Sequence, residues 1–198
     1  MFKINEENIY NTEQVINGEI DSTEAHREFN LKDNERMEEL LKKYNGGNYL
    51  ELGPCNMPTA KIAKERFPES EVYALDISSR IIEIFQKKAP DVIYKQHDLN
   101  KRFPFPDEYF SYITAGEIIE HVDSPQEFLN ECKRVLKKGG WIALSTPLNE
   151  NSNANRGGRW HIWSFDLGDI SKLWGGDCEE IVLKQNTNKN IVIWCQKL

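Results

Sequence analysis

The apolar positions of this chain fall into two alternating rhythms. Short compact runs, NYLEL at 48 to 52, EVYALD at 71 to 76, DVIYKQ at 91 to 96, YFSYITA at 109 to 115 and WIALSTP at 141 to 147, read as buried strands. Between them the spacing changes to the helical period. Pro58 suits a first helical position, which predicts a helix over 58 to 67. Ser78 caps a second helix carrying Ile81, Ile82 and Phe85 on one side. A third starts at Pro125 with Phe128, Leu129, Cys132, Val135 and Leu136 on one face, and Lys137, Lys138 and Gly139 supply a basic last turn and a glycine stop. Strand and helix in strict alternation predict a doubly wound, mostly parallel α/β sheet.

Two flanking regions depart from this alternation. Upstream, Ser22 and Thr23 open an amphipathic helix in which Met37, Leu40, Leu41 and Tyr44 recur at i, i+3, i+4 and i+7, with a break near Asn30. Residues 1–45 are therefore expected to form a helical extension before a domain over 46–198. Downstream, a polar stretch rich in Asn, Gly and Arg runs from about Leu148 to residue 162, too long for a mere connector. A short helix near 166 to 174 and strands near 178 to 184 and 190 to 197 complete the chain.

Composition narrows the class. A length of 198 residues suits one α/β domain, and no apolar run approaches bilayer length. The N-terminal residues lack the apolar core of a secretory signal, so the expectation is a soluble, cytoplasmic protein without membrane contact. Twenty-five Lys and Arg against 32 Asp and Glu give an acidic surface, which disfavours a nucleic-acid partner without excluding one. Cys55, Cys132, Cys178 and Cys195 form no CxxC pair, so they are read as reduced thiols.

Candidate chemistry collects at the predicted strand ends. Gly53 permits a tight turn, with Pro54 and Cys55 after it, into a helix whose N-terminal amides suit a carboxylate. Glu51 can take an amino group, directly or through water. Asp76, ending the next strand about 20 residues on, can accept both hydroxyls of a ribose. Asp98 can accept from the exocyclic amine of a ring whose faces Ile77 and Leu99 cover. A nicotinamide cofactor is the nearest rival ligand, but G-x-G-x-x-G is absent.

The ordered segments ELGPCNMPTA, VYALDIS, QHDLNKRFPFPDEYFSYITAGEIIEHV and FLNECKRVLKKGGWIALSTP resemble the consecutive motifs of class I S-adenosylmethionine-dependent methyltransferases, particularly the ubiquinone-biosynthesis O-methyltransferase-like group. The resemblance covers about residues 46 to 147, and it implies that the N-terminal helical extension, with Tyr10, His26 and Phe29, is a cap over the cofactor. It implies a seven-stranded sheet of order 3-2-1-4-5-7-6 with an antiparallel last strand. It further implies that Glu51 and Gly53 border the methionine part of S-adenosylmethionine, Asp76 its ribose and Asp98 its adenine. Gly116 and Glu117 would adjoin the same ligand, which leaves as S-adenosylhomocysteine. Cys55 and Met57 stand where that family usually has glycines.

Methyl transfer mostly needs alignment and removal of a proton from the acceptor. Glu117, Glu120 and His121 share a face if GEIIEHV is helical, and three readings stay open for them. His121 is a base candidate. Glu117, Glu120, His121 and His161 form a candidate site for a divalent cation such as Mg or Mn, in an ExxEH arrangement with a downstream histidine that resembles metal-dependent small-RNA 2′-O-methyltransferases. Alternatively the acids favour a helix start and His121 is structural. In RGGRWHIWSF, Arg156, Arg159 and His161 are candidates for acceptor contact, while Trp163 and Phe165 read as core anchors. The expected activity is O-methylation of a small molecule or saccharide. An RNA-methylating enzyme and a non-catalytic cofactor- or partner-binding module are the alternatives.

Overall fold

The computed structural model describes residues 1–3, 33–54, 58–148, 161–176, 178–185 and 188–198. The elements are β1 (Phe2–Lys3), α1 (Asp33–Leu41), β2 (Tyr49–Leu52), α2 (Thr59–Arg66), β3 (Val72–Asp76), α3 (Ser79–Lys88) and β4 (Ile93–Gln96). β5 (Phe110–Gly116), α4 (Pro125–Val135), β6 (Leu136–Pro147), β7 (Trp163–Ser164), α5 (Asp169–Trp174), β8 (Cys178–Gln185) and β9 (Asn188–Gln196) follow.

Seven strands form one sheet in the order β4-β3-β2-β5-β6-β9-β8, which is 3-2-1-4-5-7-6 when they are counted along the chain. The first five are mutually parallel and β9 runs antiparallel to both neighbours, as expected. β1 pairs with β7 in a separate small ribbon, which the sequence pattern did not disclose.

Side-chain alternation along the strands builds a core on each face. Leu50, Leu52, Ile113, Ile142, Leu144 and Ile193 lie with Phe128, Leu129 and Trp174 of α4 and α5. Tyr49, Ala74, Tyr112, Ala143 and Trp194 lie with Leu40, Leu41, Ala60 and Phe85 of α1, α2 and α3. The inner face of α1 thus belongs to the same core as the strands.

Three local expectations need correction. The helix from Pro125 stops at Val135, because Leu136 is extended and fully buried opposite Phe110. Lys137 to Gly140 then bulge out before Trp141 pairs with Tyr112, and Gly139 turns there at φ 74°. Cys178 and Cys195 are not separate thiols: they face each other across β8 and β9 and form a disulfide. Seventeen residues separate them in sequence, but the hairpin register brings them together. Finally, Glu117 to Ser124 form turns instead of a helical continuation of β5. The expected break near Asn30, the cap residues Tyr10, His26 and Phe29, and most of the polar loop lie outside the described residues. Among the described residues no helix is long and apolar enough to cross a membrane.

Candidate functional site

Because α2 and α3 cover one face and α4 the other, chain connections diverge on either side of the β2–β5 pair, so the carboxyl ends of these strands are where sheets of this kind form a binding crevice. Along that edge, in spatial order, stand Asp98 after β4, Asp76 at the end of β3, Gly53 after β2 and Glu117 after β5.

Gly53 has φ 69°, and a methyl group placed on it would meet Ile118 Cδ1 at 2.1 Å. Glycine suits both this left-handed turn and the close approach of the Ile118 side chain, which would have to shift to admit a larger residue. Pro54 behind it is buried, while Cys55 and Met57 lie outside the described residues.

Glu51 points inward. Its Oε1 accepts from the Thr59 amide at 2.7 Å and the Thr59 hydroxyl at 2.6 Å, and Oε2 accepts from the Ala60 amide at 3.1 Å. The carboxyl therefore caps α2, and Thr59 links it to Thr114 and onward to the Tyr49 hydroxyl. Burial pushes its pKa up to about 7, with the Thr59 and Ala60 donors acting in the opposite direction. Sequence reasoning missed this cap; Thr59, immediately after Pro58, was its signal.

Asp76 is also largely buried, and the Ser78 amide donates to its Oδ1 at 2.8 Å. Burial raises its pKa to about 6. Ser78 in turn accepts from the Ile81 amide and caps α3 as expected. Ile77, Leu99 and Gly116 are half-buried, as is Asp98, which receives the Asn100 amide at 2.9 Å.

Glu117 has left-handed backbone, φ 57°. Its Oε1 receives Arg36 Nη1 of α1 at 3.0 Å, the Ser145 hydroxyl of β6 at 3.1 Å and Asn190 Nδ2 of β9 at 2.9 Å. None of these three partners was singled out in the sequence.

This turn separates Glu117 from the other expected metal ligands, correcting the shared helical face. Glu120, His121 and His161 do converge, with one ligand atom from each lying within 4.8 Å of the others. The two imidazoles meet edge to face at 4.7 Å between centroids. Glu120 is fully buried; Thr146 donates to its Oε2 at 3.1 Å, and among the described residues Oε1 has no hydrogen-bond partner. Burial, then the charge of Glu117, raises the Glu120 pKa well above the usual carboxylate range. The Ile162 and Trp163 amides donate to the Glu120 carbonyl at 2.8 and 3.2 Å, which fixes the segment carrying His161. Phe165 is fully buried, and Trp163 donates from its indole to Val122. Both are anchors, as expected. Arg156 and Arg159 lie outside the described residues.

Residues 50–144 match the family described as a methyltransferase domain. A demethylmenaquinone methyltransferase of Thermotoga maritima is 30% identical over 144 residues, 71% of this chain and 60% of that relative. The chain thus spans about 60% of that curated relative's length. Among solved structures, a possible histamine N-methyltransferase from Thermotoga maritima superposes with a TM-score of 0.69 at 17% identity, covering 94% of this chain and 97% of that one. The YcgJ protein of Bacillus subtilis gives 0.68 at 16% identity, covering 83% and 98%. These structures share the fold. Over residues 50–144, just under half of the chain, the sequence is similar to methyltransferase domains.

Proposed function

We propose that this protein is an S-adenosylmethionine-dependent methyltransferase that transfers the methyl group to an oxygen of a small molecule or saccharide. The observation that carries the reading is the pairing, at adjacent strand ends, of the Gly53 turn with the largely buried Asp76 carboxyl. A carboxylate at the end of β3 is the acceptor a ribose diol needs, and the Gly53 turn lets backbone approach the methionine part closely. Asp98 and Leu99 continue the same edge toward the adenine. The acceptor would lie beyond β5 and β6, near His121 and His161, where an imidazole can receive the hydroxyl proton. Titration calorimetry with S-adenosylmethionine tests the first step. Measurable binding is expected for the intact protein, and no heat at millimolar cofactor would sink the reading. Screening acceptors with methyl-labelled cofactor then identifies the product.

The orphaned, buried Oε1 of Glu120 beside two imidazoles favours a second role for this cluster, as ligands of a divalent cation. One carboxylate oxygen and two imidazole nitrogens suit Mn²⁺ better than Mg²⁺, which prefers an all-oxygen shell. A bound cation would polarise the acceptor oxygen. Transfer should then cease in chelator and return with added Mn²⁺, while cofactor binding persists. Full transfer in chelator would leave the histidines as base and support.

A further inference from the structure

The arrangement around Glu117 concerns neither His121 nor the cation ligands. Three donors from three different elements converge on one of its carboxylate oxygens: Arg36 from α1, Ser145 from β6 and Asn190 from β9. Arg36 and Asn190 are themselves buried, at 8% and 5% exposure, whereas the Glu117 side chain is 27% exposed. Rotating this oxygen away would break all three of these contacts at once. The left-handed backbone at Glu117, unusual for a residue with a side chain, directs the group out of the path the chain takes from β5 into the next turn. Ile118, the following residue, presses on the Gly53 turn, so Glu117 stands beside the place where the amino-acid end of the cofactor belongs under the reading above.

We propose that Arg36 and Asn190 are positioning residues, which hold one oxygen of Glu117 so that the other faces the crevice as a fixed acceptor for the α-ammonium of the cofactor. A carboxylate that accepts three donors on one oxygen still has lone pairs available on the other, and a charged donor makes the stronger class of hydrogen bond to it. The inference rests on the methyltransferase reading and adds what that reading lacks. The N-terminal helix α1 is not merely packed on the core; through Arg36 it sets the geometry of the site, and Asn190 does the same from the far strand β9. Arg36→Lys keeps a charge at the right place without the planar fork, so it should preserve part of the function.

The test compares two probes, S-adenosylhomocysteine and 5′-methylthioadenosine, which share the nucleoside and sulfur but differ in the amino-acid end. Calorimetry on the full chain would be run for the wild type and for Arg36→Ala, Arg36→Lys, Asn190→Ala and Glu117→Gln. Wild-type protein should bind both probes, S-adenosylhomocysteine the more tightly. Glu117→Gln, isosteric and able to keep the Oε1 acceptor, should weaken S-adenosylhomocysteine about tenfold or more and leave 5′-methylthioadenosine within about twofold. Arg36→Ala and Asn190→Ala should do the same to a smaller degree, and Arg36→Lys should recover part of the loss. If the variants weaken both probes equally, or neither, the ammonium assignment is overturned. Where Arg36→Ala fails to fold, the Glu117→Gln and Asn190→Ala comparison decides the matter alone. Failure of wild-type protein to bind either probe would instead overturn the methyltransferase reading itself, so the two failures are distinct.

Discussion

Asp76 shows a conflict between stability and binding that can be measured at a single residue. Its carboxyl is raised to about 6 by burial, and the Ser78 amide only partly offsets this. A carboxyl whose folded pKa exceeds its unfolded value near 3.8 contributes stability below that lower value and loses it as pH rises through about 6. Ionised Asp76 therefore costs the unliganded protein on the order of 1–3 kcal/mol at pH 7. Asp76→Asn keeps an acceptor for the Ser78 amide and removes the buried charge. It should raise the denaturant midpoint at pH 7 and leave it unchanged near pH 4. The same change should weaken S-adenosylmethionine binding strongly at pH 7, because the ribose hydroxyls lose their charged acceptor. In the wild type, affinity should fall as pH drops below about 6; a flat profile from pH 5 to 8 would remove Asp76 from the ribose site. Asp76 and Asp98 were legible from sequence because the strand pattern alone places them at strand ends. The inward turn of Glu51 was not, since it depends on the Thr59 and Ala60 amides reaching back from α2. Nor was the Arg36 pair, whose members are 81 positions apart and meet only after α1 docks.

At the scale of elements, the β8–β9 hairpin carries the clearest departure from expectation. Scattered cysteines give no signal unless the register is known, and here it sets Cys178 directly opposite Cys195. Cys195 is fully buried against the α5 side of the sheet, while Cys178 is half-buried on the edge strand. Closing a loop of this size restricts the unfolded chain by about 3 kcal/mol in the chain-entropy account. Unfolding by urea should accordingly shift to lower concentration in reductant, and Cys178→Ser should show the low midpoint with or without it. Equal midpoints in both conditions would mean that the bridge contributes nothing to stability. The α4 boundary teaches a related lesson. A basic turn and a glycine looked like a helix ending, but burial of Leu136 opposite Phe110 takes the chain into the sheet three residues earlier than Gly139.

For the molecule as a whole, the order of the sheet, the antiparallel penultimate position of β9 and the two cores followed from alternating rhythms and a family likeness. Both are properties that many residues share, so a few misread ends did not alter them. What stayed hidden was contributed by single long-range pairs. One of these lies at the end of β6. Ser145 and Thr146 are neighbours on one strand, so their hydroxyls leave the sheet in opposite directions. Ser145 reaches Glu117 and Thr146 reaches Glu120. The two acids, one set beside the Gly53 turn and the other beside the paired imidazoles, are thus gauged from a single ruler. A slide of β6 along its axis would therefore pull on both acids at once and in the same sense, so what each of them holds is coupled through one strand.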